Sequence, residues 1–227
     1  MSTERAAPNL IFVTLIHKAL RADGDRLVET VGALQPEDRN GRLPRVRAFY
    51  TAYRQQLVSH HTHEDHLFFP ALVARVGEDR MHLLELTSGH QQLDGVLEAL
   101  DADFAAWEDP NRDFAATRKT VSEDLSTMVE KLNAHLDLEE NTALPLFASE
   151  VPTAEYDALE ATARKATPRE QSSFMIPWLV EHASPDQRRT LFRSAPPLRI
   201  VYLLTRRGYR RLDDALVGPV DRHQPSA

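Results

Sequence analysis

The sequence predicts an all-α protein, and three observations carry that prediction. Glycine is scarce, at 8 in 227 residues; alternating strand patterns are missing; and apolar residues recur at intervals of three and four over long stretches. The expected architecture is an antiparallel up-down-up-down four-helix bundle over residues 1–150, followed by a smaller C-terminal helical extension over 151–227.

The first helix opens near Asn9, a residue type suited to an N-cap, and carries Leu10, Val13, His17, Leu20, Gly24, Leu27, Val31 and Leu34 on one stripe. It breaks at Pro36 to Gly41. The second continues through Leu43, Val46, Tyr50, Tyr53, Leu57, His60, Glu64, Leu67 and Ala71 to a stop at Gly77. The third runs through Leu83, Leu86, His90, Leu93, Leu97, Leu100, Phe104 and Trp107, and ends at Asp109, Pro110 and Asn111. The fourth presents Val121, Leu125, Met128, Leu132, His135, Glu139, Thr142 and Leu146. Such seams are those of helices packed in a bundle.

Beyond Pro152 the pattern predicts shorter helices: one over 153–166, one opened by Thr167 and Pro168, one opened by a capping box at Ser184 to Gln187, and one after Pro196 and Pro197. Pro177 is expected to kink or end the second of these. Eight arginines (188, 189, 193, 199, 206, 207, 210, 211) fall in a stretch without an acidic residue. They are read as pairing with bundle acids while Trp178 and Leu203 pack onto the bundle. The alternative reading is a docking surface for an anionic partner or membrane.

Composition narrows the chemistry. There is no cysteine, which excludes disulfides, thiolate metal sites and cysteine nucleophiles. Any metal must be held by nitrogen and oxygen. A net charge of -7 disfavours a nucleic-acid binder. The start of the chain lacks a basic-then-apolar leader pattern, and the apolar run Leu10 to Ile16 is too short to span a bilayer, so a cytoplasmic location without a transmembrane segment is expected.

Six polar residues interrupt the apolar stripes: His17, His60, Glu64, His90, His135 and Glu139. All are metal-binding types. In an antiparallel hairpin, two residues share a level when the midpoint of their numbers falls in the turn. The midpoint of 17 and 60 is 38.5, inside the break at Pro36 to Gly41; that of 64 and 90 is 77, at Gly77; that of 90 and 135 is 112.5, just past Pro110. All six therefore converge on one level of the predicted core.

The same residues form an internal repeat. Leu57, His60, Glu64, Asp65 and Pro70 align with Leu132, His135, Glu139, Glu140 and Pro145 at an offset of 75, and His17 aligns with His90 at an offset of 73. Each half supplies one lone histidine and one His-x-x-x-Glu pair, so two metals are expected. Residues four apart share a helix face, which lets each pair aim an imidazole and a carboxylate at neighbouring metal positions. His17 with His60 on one ion, His90 with His135 on the other, and both glutamates between them leave room for a small ligand. That set favours iron or manganese, with zinc as a further candidate. A metal-free core of satisfied histidines and ion pairs would carry a desolvation cost of several kcal/mol per buried ion.

Around His60 to Pro70 and again at His135 to Glu140 the sequence resembles hemerythrin-like (HHE cation-binding) domains, over about residues 9–150. The resemblance implies a non-haem di-iron centre with a bridging oxo, hydroxo or water oxygen, reactive toward O2, H2O2 or NO. It carries over His17, His60, Glu64, His90, His135 and Glu139 as ligands. Oxygen-carrying relatives have a second histidine where this chain has Asp94, which points away from oxygen transport and toward catalase-like, peroxidase-like or NO chemistry in stress defence. Asp94 is expected to be an extra ligand or a partner orienting an imidazole. A sensor or iron-storage module signalling through the C-terminal region is the alternative.

His61 and His63 flank the stripe and are read as partly exposed interface residues, with proton donation near the site as the alternative. His66 is read as pointing outward, and His82, His182 and His223 as lacking partners at ligand spacing. Tyr50 and Tyr53 are read as core.

Overall fold

The computed structural model describes residues 7–216, and among these every regular element is a helix. His223 lies outside the described residues. Helix α1 spans Ile11–Ala33, and the Asn9 side chain accepts the Ile11 N–H at 3.2 Å, so the helix begins just beyond its predicted cap. A 3-10 turn, Pro36–Asp38, fills the predicted break before α2, Arg42–His63.

Where one helix was expected to run to Gly77, the chain instead passes through a π-helical turn, Glu64–Phe68, into α3, Phe69–Val76. Pro70 has no N–H to return to the carbonyl four residues back and its ring clashes there, so a regular α ladder cannot cross it. Gly77 closes α3 with φ of 81°, its N–H bonded to the Val73 carbonyl at 2.9 Å. The repeat does the same thing again. After α4, Leu83–Glu108, helix α5, Phe114–Asn141, breaks at Thr142 before α6, Ala143–Glu150, which contains Pro145.

Neighbouring long helices are tied by specific contacts. Tyr53 on α2 donates to the Leu20 carbonyl of α1 at 2.9 Å. Arg54 pairs with Asp101 of α4 at 3.0 Å, Lys131 of α5 donates to Gln92 of α4 at 3.1 Å, and Arg21 of α1 pairs with Asp137 of α5 at 2.8 Å. Inside, the apolar core is split into two clusters. The larger holds Leu57, Leu93 and Leu132; the smaller holds Phe69, Leu86 and Ala143. Along the helices, His60, His90 and His135 fall between these sets, so the polar layer is capped by apolar packing on both sides.

The C-terminal helices are α7, Thr153–Ala166; α8, Arg169–His182; α9, Pro185–Ser194; and α10, Pro197–Asp213. The capping box at Ser184 and Gln187 is present. Pro177 does not end α8: the turn that follows it is held by burial of Trp178, Leu179 and Val180, which offsets the lost backbone bond. The Trp178 indole N–H donates to Asp23 Oδ2 of α1 at 2.7 Å.

Two expectations for this region are corrected. Leu203 is 51% exposed, because α10 turns Leu198 and Tyr209 inward and a residue five positions from Leu198 lies roughly 140° around the helix. Among the described residues, the arginines that pair do so with acids of the C-terminal region, not of the long helices: Arg210 and Arg188 with Glu181 at 3.1 and 3.8 Å, and Arg189 with Asp186. Their helices pack against one another, which puts Glu181 and Asp186 within closer reach. Among the described residues no helix is long and apolar enough to cross a membrane.

Candidate metal centre

The structure brings all six predicted residues into two adjoining buried clusters. His17, His60, Glu64 and Glu139 form one, and His61, Glu64, His90 and His135 the other, with one candidate ligand atom from each residue within 4.8 Å of the rest of its cluster. Glu64 belongs to both. Its Oε1 lies 3.2 Å from His60 Nε2 and its Oε2 3.5 Å from His90 Nε2, so the carboxylate spans the two halves. Glu139 sits with the first cluster only, with Oε2 3.3 Å from His17 Nε2.

The imidazoles approach each other through the same atoms. His17 Nε2 is 3.2 Å from His60 Nε2, and His90 Nε2 is 3.0 Å from His135 Nε2. Two ligand atoms about 2.0–2.1 Å from a shared ion, at angles of about 90–110°, stand about 2.9–3.4 Å apart. Outer partners fix which nitrogen faces in. His17 Nδ1 meets Glu140 Oε1 at 2.9 Å, and His90 Nδ1 meets Asp65 Oδ1 at 2.9 Å. With Nδ1–H donated outward, Nε2 is the ring nitrogen each histidine turns to the cluster.

Without a cation the layer is poorly satisfied. Both Glu64 oxygens, Glu139 Oε2, His135 Nδ1 and both ring nitrogens of His61 are buried with no hydrogen-bond partner. Burial and the neighbouring Glu139 charge hold the Glu64 carboxyl well above the usual range. Burial pushes His60 and His61 well below the ordinary imidazole value and His135 down to about 4. His17 moves the other way: burial opposes its protonation, but the adjacent Glu139 carboxylate raises it to about 9. Imidazoles gathered around two close carboxylates are a donor set matched to divalent or trivalent cations, and the orphaned oxygens are the atoms such ions would take up.

His61 overturns its reading as a partly exposed residue. It is 4% exposed, stacks on His90 with ring centroids 4.0 Å apart, and meets His135 edge-on at 5.2 Å. Its place in the internal repeat held the signal: the equivalent residue is Leu136, which is fully buried. Asp94 is corrected in the other direction. It is exposed and belongs to neither cluster, since Leu93 and Leu97 take the inward face of α4 there. The third imidazole of the second cluster comes instead from α2.

His63 is half-buried and faces a cavity described below. His66 is exposed, with Nδ1 2.9 Å from the Thr62 carbonyl. His82 and His182 belong to neither cluster; they meet Glu85 at 3.4 Å and Asp23 at 3.3 Å. Tyr50 and Tyr53 are core residues. The Asp65 and Glu140 contacts escaped the sequence reading, although both residues were visible in the repeat.

Close packing explains one more residue. A Cβ on Gly89 would stand 2.6 Å from His135 Nδ1, so only glycine lets α4 approach that imidazole. Compared with known families, the chain matches the model of the hemerythrin HHE cation-binding domain over residues 12–147. No curated protein and no solved structure is matched.

Proposed function

The chain belongs to the hemerythrin HHE cation-binding family, and we propose that within it this protein holds two iron ions and binds or reacts with O2, H2O2 or NO in defence against oxidative or nitrosative stress. On this reading α1, α2 with its continuation α3, α4 and α5 form an antiparallel up-down-up-down four-helix bundle around the metal pair. Residues 151–227 are then a C-terminal extension, of which α8 packs against α1 and α2, and α10 against α2.

The observation that carries the reading is the pair of buried clusters sharing Glu64, with orphaned carboxylate oxygens between imidazoles. His17, His60 and Glu139 would hold one ion and His90, His135 and His61 the other, with Glu64 common to both. Two irons so held supply redox chemistry for O2, peroxide or NO. The chain's own contribution is to hold each donor at fixed distance, to keep His60, His61 and His135 neutral by burial, and to exclude bulk water with apolar clusters on either side.

Metal analysis with an optical spectrum tests the site. Two ions per chain are expected, and fewer than two in the fully loaded protein would overturn it. Oxygen evolution from peroxide by the loaded protein, lost in His60→Ala, is the expected activity. If loaded protein neither consumes peroxide nor binds NO, the stress-defence reading fails, and the sensor reading, supported by the Trp178–Asp23 tie between α8 and α1, takes its place.

A further inference from the structure

A cavity of about 330 Å³ opens beside the metal centre, with His60, Glu64 and Glu139 in its wall. One water molecule needs only about 10–15 Å³ of such space. The diatomic and peroxide ligands considered above would fill a small part of it. Small-molecule sites run from about 300 to 1,000 Å³ and combine an apolar lining with a few placed polar groups. This cavity has that make-up, its wall being mainly apolar through residues such as Phe12, Ile16, Phe147 and Met175.

The C-terminal extension supplies one side of the cavity. Tyr156, Glu160, Ala163 and Arg164 line it, their spacing of three and four placing them on one side of α7, and Thr167 joins them just past the end of that helix. The Oε1 of Glu160 is buried with no hydrogen-bond partner. Burial pushes this carboxyl up to about 7 against the pull of the Arg164 charge, so near neutral pH it is available as a donor. Arg164, one turn further on, is exposed at the same wall.

We propose that this cavity binds a medium-chain fatty acid, its aliphatic chain against the apolar wall beside the metal pair and its carboxylate between Glu160 and Arg164. Outside the metal residues, the carboxyl and guanidinium groups of this mainly apolar wall are those of Glu160 and Arg164, which suits an aliphatic molecule with one charged end. A carboxylate head gives both Glu160 and Arg164 a partner, whereas an uncharged head would leave the guanidinium without a counter-charge. The binding itself requires neither iron nor redox chemistry, so it goes beyond the reading of the metal pair.

The test is calorimetric titration of the metal-loaded full chain with decanoate, with tryptophan emission as a second readout. Trp178 lines the cavity, while Trp107 packs against Phe104 and Phe114, so a change in emission reports on Trp178. Saturable one-to-one binding is expected, weaker by about tenfold or more in Ala163→Phe, which fills the cavity, and by about fivefold or more in Arg164→Gln. Decanol should bind more weakly than decanoate, and acetate should give no saturable heat. Absence of saturable decanoate binding would overturn the proposal. So would unchanged binding in a folded Ala163→Phe variant, or in a folded Ser172→Leu variant should the first fail to fold, and so would decanol binding as tightly as decanoate. A protein that holds two ions yet takes no decanoate defeats this proposal alone.

Discussion

Glu140 accepts the Nδ1–H of His17 at 2.9 Å, reaching from α5 to α1. Asp65, at the same place in the other half of the repeat, accepts from His90 of α4 at the same distance. Each follows directly after the glutamate of a His-x-x-x-Glu pair. A step of one residue turns about 100° around the helix, so Glu64 and Glu139 face the clusters while Asp65 and Glu140 reach a histidine on a neighbouring helix.

Removing that support loosens the imidazole without removing a ligand. Glu140→Ala is expected to weaken metal binding by about 10–100-fold, read by chelator competition, with helical content unchanged. Glu140→Gln, whose amide oxygen still accepts, should lose less. Equal affinity in wild type and Glu140→Ala would show that His17 needs no such partner.

Metal removal should destabilise the fold. Ions present at about a thousand times their dissociation constant contribute roughly 4 kcal/mol, so the thermal midpoint should fall on chelation. Glu64→Gln should narrow the difference from both ends. It weakens the loaded form by taking away the shared carboxylate, and it strengthens the metal-free form by replacing a carboxyl that burial first, and the Glu139 charge second, hold well above the usual range. Scanning calorimetry of both proteins, with and without chelator, checks the sign of each change.

Gly89→Ala separates site from fold. An added Cβ would meet His135 Nδ1 at 2.6 Å, displacing that ring from the second cluster. Alanine is otherwise favoured over glycine in a helix by about 1 kcal/mol. The expected outcome is a metal content falling from two ions toward one, with metal-free stability held or lowered only slightly. Full occupancy in this variant would show that the ring has room to move.

The tie between α8 and α1 should depend on pH through Asp23 and His182. Asp23 is fully buried; burial would raise its carboxyl, but its bond to His182 and the charges of His182 and Arg26 hold it below the usual range. His182 is raised: burial opposes its protonation, and the bond to Asp23 more than offsets that. The raised histidine contributes stability that is fully present below its unfolded pKa of 6.5 and is lost as pH climbs through its higher folded value; the lowered carboxyl contributes stability lost as pH falls through its depressed one. The midpoint difference between wild type and His182→Gln should therefore be largest near pH 6 and shrink above neutrality. A difference that stays flat from pH 6 to 9 would rule out the protonated pair.

Much of this molecule is legible in its sequence because helices impose a fixed period. Spacing of three and four placed the buried stripes, Pro110 and Gly77 marked ends, and the midpoints brought six polar residues to one level, where the structure also gathers them. The repeat implied two halves. What it could not show is which residues beside a stripe are buried, since that depends on how closely the next helix approaches. His61 is covered because α4 brings His90 against it, and Asp94 is not covered by anything comparable.

Sequence alone determined the helical class, the donor types and their common level, all consequences of local periodicity and of an amino-acid composition without thiols. Tertiary packing decided the rest: the shared position of Glu64, the outward partners of His17 and His90, the burial of Asp23 under Trp178, and the cavity walled by α7. Each of these joins residues from separate helices, and the distance between two helices is set by all the side chains packed between them, a property that no single stretch of chain contains.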